Sequence, residues 1–556
     1  MTPVISKVGT VLVFAAVIFY ITVGRSFTWL APPLSDTQLY AYVGNAWLHG
    51  DLPYVRVWDM KPPGIFAVNA AVFAFFPDSF GALAVLEGLF MSGCAITVYL
   101  LLREWKVCPI GCCLGTLVFA ITSNLTYVHS NLTEIYLLWP AALSMLFFSK
   151  ALPELRGKWI FLSGLCTGAA SLFKLTGLAP FLAQSVLLFL LWIVFRRFSF
   201  SRLLAVLSTA LAGVILAWLP FALYFGYHGA LLDLINASVL YPFNYSAAIP
   251  KSFSRYFYMT AHFLYDLYML IIFILIGFCA YLFEFKHFLQ EKDYSRVGVT
   301  PFYILSALWV VVDLIGALSG NRSHSQYFLP LTLSIAAMAG LTYSLQVESI
   351  GSAKQVQLLI LTLLVVPLVV THFDKEFREF VHLVRYGHTL THDKESGHDK
   401  PTPEAQAKQI AVFIEGIRNK DDTLFSWDFS PWIFNALHIK SPIYVLDMAY
   451  RKLFSGSLRQ RFVEGVLTQL QSHPPTFIMD DTNEPELSKR LDPLYMTFSQ
   501  FVDNQYQCVK EFELPYGTKI RVYKRTRKKE TTVMSWPSPK PAVSNMQCVD
   551  HSRGIG

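Results

Sequence analysis

The chain has 556 residues, of which 54% are apolar and only 15% are charged, with a formal balance of +7. That is too apolar for an ordinary soluble enzyme, and the basic residues are spread among loops rather than gathered into the stripe that nucleic acid requires. The apolar residues fall in runs of about 20, the helical length that crosses a bilayer, so the sequence reads as a polytopic α-helical membrane protein.

In chain order, about eleven transmembrane helices are predicted from length and hydropathy. They cover 8–24, 83–102, 108–123, 134–149, 158–173, 176–195, 203–225, 259–283, 299–318, 327–345 and 355–371. The first run lacks a small-residue cleavage site and is followed by more spans, so it reads as a retained helix. Gly64–Phe76 is apolar but short and is expected to form an interfacial or re-entrant helix closing the first long loop, 25–82. With the N-terminus in the cytoplasm, the inner connections carry Arg103 and Lys106; Lys150, Arg156 and Lys158; Arg196, Arg197 and Arg202; and Lys286, Lys292 and Arg296. That distribution obeys the positive-inside rule and puts loops 25–82, 124–133, 226–258 and 319–326 on the outer face, together with the tail after Val370.

The chain thus divides into a membrane domain over 1–371, a polar linker over 372–402, an α/β domain over 403–525 and a tail over 526–556. The histidines of the linker are scattered and suit a solvated segment better than a metal site. In the α/β domain a helix is expected at Glu404–Ile417 and strands at Thr423–Trp427, Ile443–Leu446 and Thr476–Met479. Val509–Tyr523 alternates around a Pro-Tyr-Gly turn, as a hairpin does. The Lys-, Ser- and Pro-rich tail reads as disordered. Five of the eight cysteines (Cys94, Cys108, Cys112, Cys113 and Cys166) lie in or beside apolar runs without zinc-like spacing and read as small packing residues. Cys508 and Cys548 lie in the soluble region, where an oxidising compartment would allow them to pair.

Chemistry-bearing residues gather in the outer loops. Asp36 opens a helix-like run, Thr37–His49, whose Leu39, Tyr42, Val43, Ala46 and Trp47 share a face. Ser35 or Asp36 can cap that helix, but a carboxylate among aromatic rings at a membrane surface is also partly desolvated, which makes it a better base. Lys61 precedes Pro62-Pro63, which stiffen the backbone and hold a cation at headgroup level, where it suits a lipid phosphate or merely snorkels. Asp59 is placed to orient Lys61 or to form a surface pair. Glu134, in Asn131-Leu-Thr-Glu, opens a predicted span, where the helix dipole alone would favour it. Asp36 and Glu134 are expected on one side of the membrane, flanking an acceptor hydroxyl or sharing a divalent cation. Lys174 interrupts the apolar stretch Gly164–Phe181, and an ionisable group at such depth is either functional or at a turn. Arg322, His324 and Tyr327 fall between two spans, the guanidinium suited to chelating phosphate. Tyr241-Pro-Phe-Asn-Tyr, Lys251 and Arg255 could form an acceptor wall. Asn-X-Ser/Thr sequons at Asn124, Asn131, Asn236, Asn244 and Asn321 fall in outer loops, although glycans at several of them would crowd the cleft.

Together these pieces resemble the GT-C class of polytopic glycosyltransferases, in particular the branch with bacterial aminoarabinose transferase and the protein O-mannosyltransferases. The matching features run in order: Asp36, Gly50-Asp-Leu-Pro-Tyr, Trp58-Asp-Met-Lys-Pro-Pro, the acid opening the fourth span, Lys174-Leu-Thr-Gly, and His324–Pro330. Relatives often carry Asp-Glu in the first loop. Here the pair is Asp36-Thr37, so Glu134, Asp51 or Asp59 must supply any second acid. The resemblance implies a polyprenyl-phosphate-linked sugar as donor, with Lys61, Arg322 and Lys174 holding its phosphate and Asp36 as base. Glu134 would position the acceptor (a lipid, glycan or protein hydroxyl), with Asp59, His324 and Tyr327 in support. No cofactor is required and a divalent cation is optional. The implied location is the plasma membrane (the inner membrane of a bacterium), with the α/β domain periplasmic. The main rival is a transporter or flippase for lipid-linked sugars, although such proteins usually show related halves and midplane sites. A second rival is a non-catalytic assembly protein whose outer domain binds partners.

Overall fold

The computed structural model describes residues 14–21, 36–126, 131–248, 300–320, 324–349, 403–428, 430–446, 456–481, 492–513 and 519–526, with isolated positions 11, 254, 256–258, 260–261 and 448. Arg322, Lys251, Arg255, Cys548, the predicted span 355–371, most of the span 259–283, the linker 372–402 and nearly all of the tail 526–556 lie outside the described residues. The described residues form two compact units. One holds 11, 14–21, 61–227 and the described residues between 254 and 349; the other holds 36–60, 228–248 and the described residues from 403 onward. The boundary falls between Met60 and Lys61, so the described part of the first loop up to Met60 groups with the C-terminal region.

Helix α1 (Asp36–Leu48) belongs to the second unit. The first unit runs through α2 (Gly64–Phe75), α3 (Phe80–Glu104), α4 (Pro109–Thr126), α5 (Thr133–Ala151), α6 (Gly157–Ser171), α7 (Ala179–Ile193), α8 (Phe200–Tyr227), α9 (Thr300–Ser319) and α10 (Leu331–Ser349). Among the described residues four helices are long and apolar enough to cross a bilayer: Phe80–Glu104, Leu175–Ile193, Phe200–Tyr227 and Pro301–Ser319. Helix α2 has 12 residues, as its short apolar run leads one to expect. The spans predicted at 108–123, 134–149, 158–173 and 327–345 coincide with α4, α5, α6 and α10.

Without a hydrophobic force between helices in lipid, close approach depends on small residues and satisfied polar groups. Helices α6 and α8 meet this way: a Cβ on Gly164 would strike the Ala210 carbonyl, and one on Gly168 would lie 2.7 Å from the Val214 oxygen. Between α5, α6 and α7, Ser144 hydrogen-bonds Ser163 at 3.0 Å and Thr167 at 2.7 Å, while Gln184 donates to Ser144 at 3.0 Å and accepts from Ser163 at 3.0 Å. Gly168→Leu is therefore expected to cost at least ~1–3 kcal/mol through overpacking and to lower the unfolding temperature of detergent-solubilised protein. An unchanged melt would contradict this packing.

The second unit contains a four-stranded sheet in the order β1-β2-β4-β3, with β1 (Leu424–Ser426) parallel to β2 (Phe477–Asp480). Strands β3 (Tyr506–Glu513) and β4 (Lys519–Arg525) pair antiparallel, the hairpin expected from alternation. Helix α11 (Pro403–Ile417) also falls where expected. Ile443–Leu446 does not form a strand: Val445 makes an isolated bridge to Trp58, whose backbone N–H donates to the Tyr444 carbonyl at 2.8 Å. This apolar segment pairs with the first loop and not with the sheet. Other contacts join the same two stretches. Asn435, on α12 (Trp432–Leu437), donates to the Gln38 carbonyl at 2.7 Å and its side-chain oxygen at 2.8 Å, and Lys440 pairs with Asp51 at 2.9 Å.

At the end of β1, the Asp481 carboxylate accepts from the Ser426 hydroxyl and the Asp428 backbone N–H, each at 2.8 Å. Burial, and after it the neighbouring Asp428 charge, push its carboxyl up to about 6. A carboxyl raised in the folded state binds more protons folded than unfolded. Its contribution to stability is therefore greatest at acid pH and is lost as pH rises through the interval between its unfolded value and about 6. Asp481→Asn keeps an acceptor and removes the titration, so relative to the parent it gains on the order of 2–3 kcal/mol between pH 4 and pH 7. Hydrogen exchange of the β2 amides measures that difference; a difference that does not change with pH would contradict it.

Candidate functional site

In the first unit, three charged residues from distant parts of the sequence converge. Glu134 lies in the first turn of α5 and is almost fully buried; its Oε1 accepts from Lys174 Nζ at 2.7 Å and its Oε2 from the Thr133 hydroxyl at 2.8 Å. The Lys61 ammonium is near enough to act electrostatically on the same carboxylate. These three side chains bring two ammonium groups to one carboxylate.

Local sequence explains each placement. Helix α6 ends at Ser171, and Lys174 is extended (φ −157°, ψ 139°) before a 3₁₀ turn, Leu175–Leu178. The apolar stretch is thus two helices with the lysine at their break. On the other side, Lys61-Pro62-Pro63 leads into α2, whose Gly64 N–H donates to the Leu172 carbonyl at 2.8 Å. A Cβ at Gly64 would lie 2.6 Å from that oxygen, so only glycine lets the two backbones meet. This contact pins the Lys61 turn against the Lys174 turn. The 3₁₀ segment Ser325–Phe328 then places Tyr327 over the lysine, with Lys174 Nζ 3.7 Å from the ring centroid, a cation–π contact. His324, exposed, meets the Tyr327 ring edge-on with centroids 5.7 Å apart.

Lys174 and Glu134, expected to hold phosphate and acceptor respectively, are bound to each other. Lys174 keeps 21% of its side chain exposed, against 4% for Glu134, so the cation forms the accessible face of the pair. Asp36 and Asp59 belong to the second unit. Asp36 is half-buried in the first turn of α1 and accepts from the Tyr40 hydroxyl at 3.2 Å. Asp59 is buried and accepts the Met60 N–H at 2.6 Å, and Asp51 is committed to Lys440. Asp59 also helps burial to raise the Tyr54 phenol.

A divalent cation shared by Asp36 and Glu134 was the metal expectation. Both Glu134 oxygens already accept hydrogen bonds, and two ammonium groups beside it repel a cation, so Glu134 is a poor ligand. No group of three His, Cys, Asp or Glu side chains placed for a metal occurs among the described residues. Glu87 escaped the sequence reading. It is buried in α3 and accepts the Asn131 backbone N–H at 2.9 Å. Its signal was an acid inside the predicted span 83–102, which lipid tolerates only with partners.

No family model matches the chain, and no curated protein matches it. Solved structures do. An archaeal oligosaccharyltransferase, AglB from Archaeoglobus fulgidus in complex with an inhibitory peptide and a dolichol-phosphate, aligns with a TM-score of 0.52 at 13% identity, covering 94% of this chain and 74% of that one. The same protein in complex with zinc and sulfate aligns at 0.50 and 12% identity, covering 92% and 72%. The S. cerevisiae protein O-mannosyltransferase Pmt1-Pmt2 complex bound to the sugar donor aligns only partly, at a TM-score of 0.31 and 20% identity over 42% of this chain and 35% of that one. The chain therefore resembles GT-C glycosyltransferases in fold, as its motifs had suggested.

Proposed function

We propose that this protein is a membrane glycosyltransferase that moves a sugar from a polyprenyl-phosphate donor to a hydroxyl of a lipid, glycan or protein on the extracytoplasmic face. The observation that carries this reading is the cluster of Glu134, Lys174 and Lys61, whose two ammonium groups suit the phosphate of a phosphodiester. The GT-C fold supports it, as does the dolichol-phosphate bound to the archaeal relative.

In the mechanism, Lys61 and Lys174 hold the donor phosphate, with Arg322 as a third contact. Glu134 keeps Lys174 extended toward it while cancelling one charge, which lets product leave. Asp36 takes the proton of the acceptor hydroxyl as its oxygen bonds to the anomeric carbon. The bond from that carbon to the phosphate oxygen breaks on the opposite face, so configuration inverts and polyprenyl phosphate departs with the electron pair, stabilised by the ammonium groups. No step requires a metal. About eleven spans, an N-terminus in the cytoplasm and an outer α/β domain complete the topology. A phosphatase fusion after Phe373 should then be active outside the cytoplasm; an inactive fusion would invert it.

Purified protein in liposomes with radiolabelled polyprenyl-phosphate sugar distinguishes transferase from transporter. The transferase releases polyprenyl phosphate as label passes to the acceptor. Intact donor appearing on the far leaflet, with no release, would establish the transporter instead.

A further inference from the structure

We infer that Asn131, Asn69 and Glu87 are positioning residues that hold Lys61, Glu134 and Lys174 in register as one phosphate-binding unit. This rests on the proposed donor site and adds to it residues that touch neither phosphate nor sugar. Asn131 has left-handed backbone, φ 58°, a conformation asparagine tolerates better than most residues. Its N–H is held by Glu87 Oε2 at 2.9 Å. Its side-chain amide forms a reciprocal pair with that of Asn69: Asn131 Nδ2 donates to Asn69 Oδ1 at 2.8 Å, and Asn69 Nδ2 donates back at 3.2 Å and to the Ile65 carbonyl at 2.8 Å. All three residues are at most 1% exposed.

Their positions give the contacts a purpose. Asn131 lies two residues before Thr133, whose hydroxyl braces Glu134. Asn69 lies on α2, the helix that continues from Lys61, and Gly64 at the start of α2 bonds the Leu172 carbonyl two residues before Lys174. The Lys174–Glu134 ion pair completes a closed ring of contacts, from α2 to α5 to the Lys174 turn and back to α2. Three turns that would otherwise drift independently are fixed at both ends. The buried Asn131 amide also removes that sequon from those able to carry a glycan.

The test is the dissociation constant of a polyprenyl phosphate for detergent-purified full-length protein, read by intrinsic fluorescence. A dissociation constant does not depend on what fraction of a sample is folded, so mere loss of protein leaves it unmoved. Asn131→Gly keeps the left-handed backbone and removes the amide pair, Asn69→Ser removes the same pair from the other side, and Glu87→Gln keeps an acceptor for the Asn131 N–H. Asn131→Gly and Asn69→Ser should each weaken binding about tenfold or more, since small displacements of positioned groups are costly, while Glu87→Gln stays close to the parent. Parental binding in both asparagine variants would overturn the inference and leave the donor site standing. A parent protein that binds no polyprenyl phosphate would overturn the donor site and this inference together.

Discussion

Lys174→Met is expected to abolish sugar transfer and to destabilise the first unit, and adding Glu134→Gln should repair the stability without restoring the activity. Lys174 Nζ donates to Glu134 Oε1 at 2.7 Å, and the carboxylate has almost no access to water. Removing one member of a buried ion pair leaves the other uncompensated and costs about 3–5 kcal/mol, whereas replacing both with neutral groups of similar size is close to neutral. The single variant should therefore melt well below the parent and the double variant near it. Turnover by either should fall at least ~100-fold, because the phosphate loses a cation that stabilises it as leaving group. A double variant with parental activity would reduce the pair to a structural contact.

Asp36→Asn is expected to lower kcat by about 10²–10⁴-fold while leaving the donor KM near that of the parent, the loss that follows from removing a general base. The variant should fold normally. Asparagine retains an oxygen to accept from Tyr40, now at 3.2 Å from Asp36 Oδ2, and the hold of Asn435 on Gln38 is untouched. Steady-state kinetics with saturating acceptor measure both constants. Full activity in this variant would exclude Asp36 as the base.

How far the sequence could foretell these features depended on the range of the physics involved. Apolar length sufficed for α2 and for the long helices, because hydropathy over one helix is a local property. Alternation sufficed for the β3–β4 hairpin. Ile443–Leu446 has a strand's composition, yet its partner is Trp58, nearly four hundred residues earlier, and no local pattern announces that pairing. Lys174 declared itself as a charge within an apolar stretch, and Glu134 as an acid at a helix start. That each is the other's counter-ion, 40 residues apart, follows only from how α5 packs beside the break after α6. Asn69 and Asn131 were harder still. Asn131 reads as part of a sequon, whereas burial makes its amide a brace for the turn before Glu134.

The most direct measurement is a structure determined with a polyprenyl phosphate bound. Phosphate density is expected between the Lys61 and Lys174 ammonium groups, with the Glu134–Lys174 pair intact and the isoprenoid chain leading away along the apolar helices. Phosphate bound elsewhere, with those two lysines making no contact to it, would rule out this donor site.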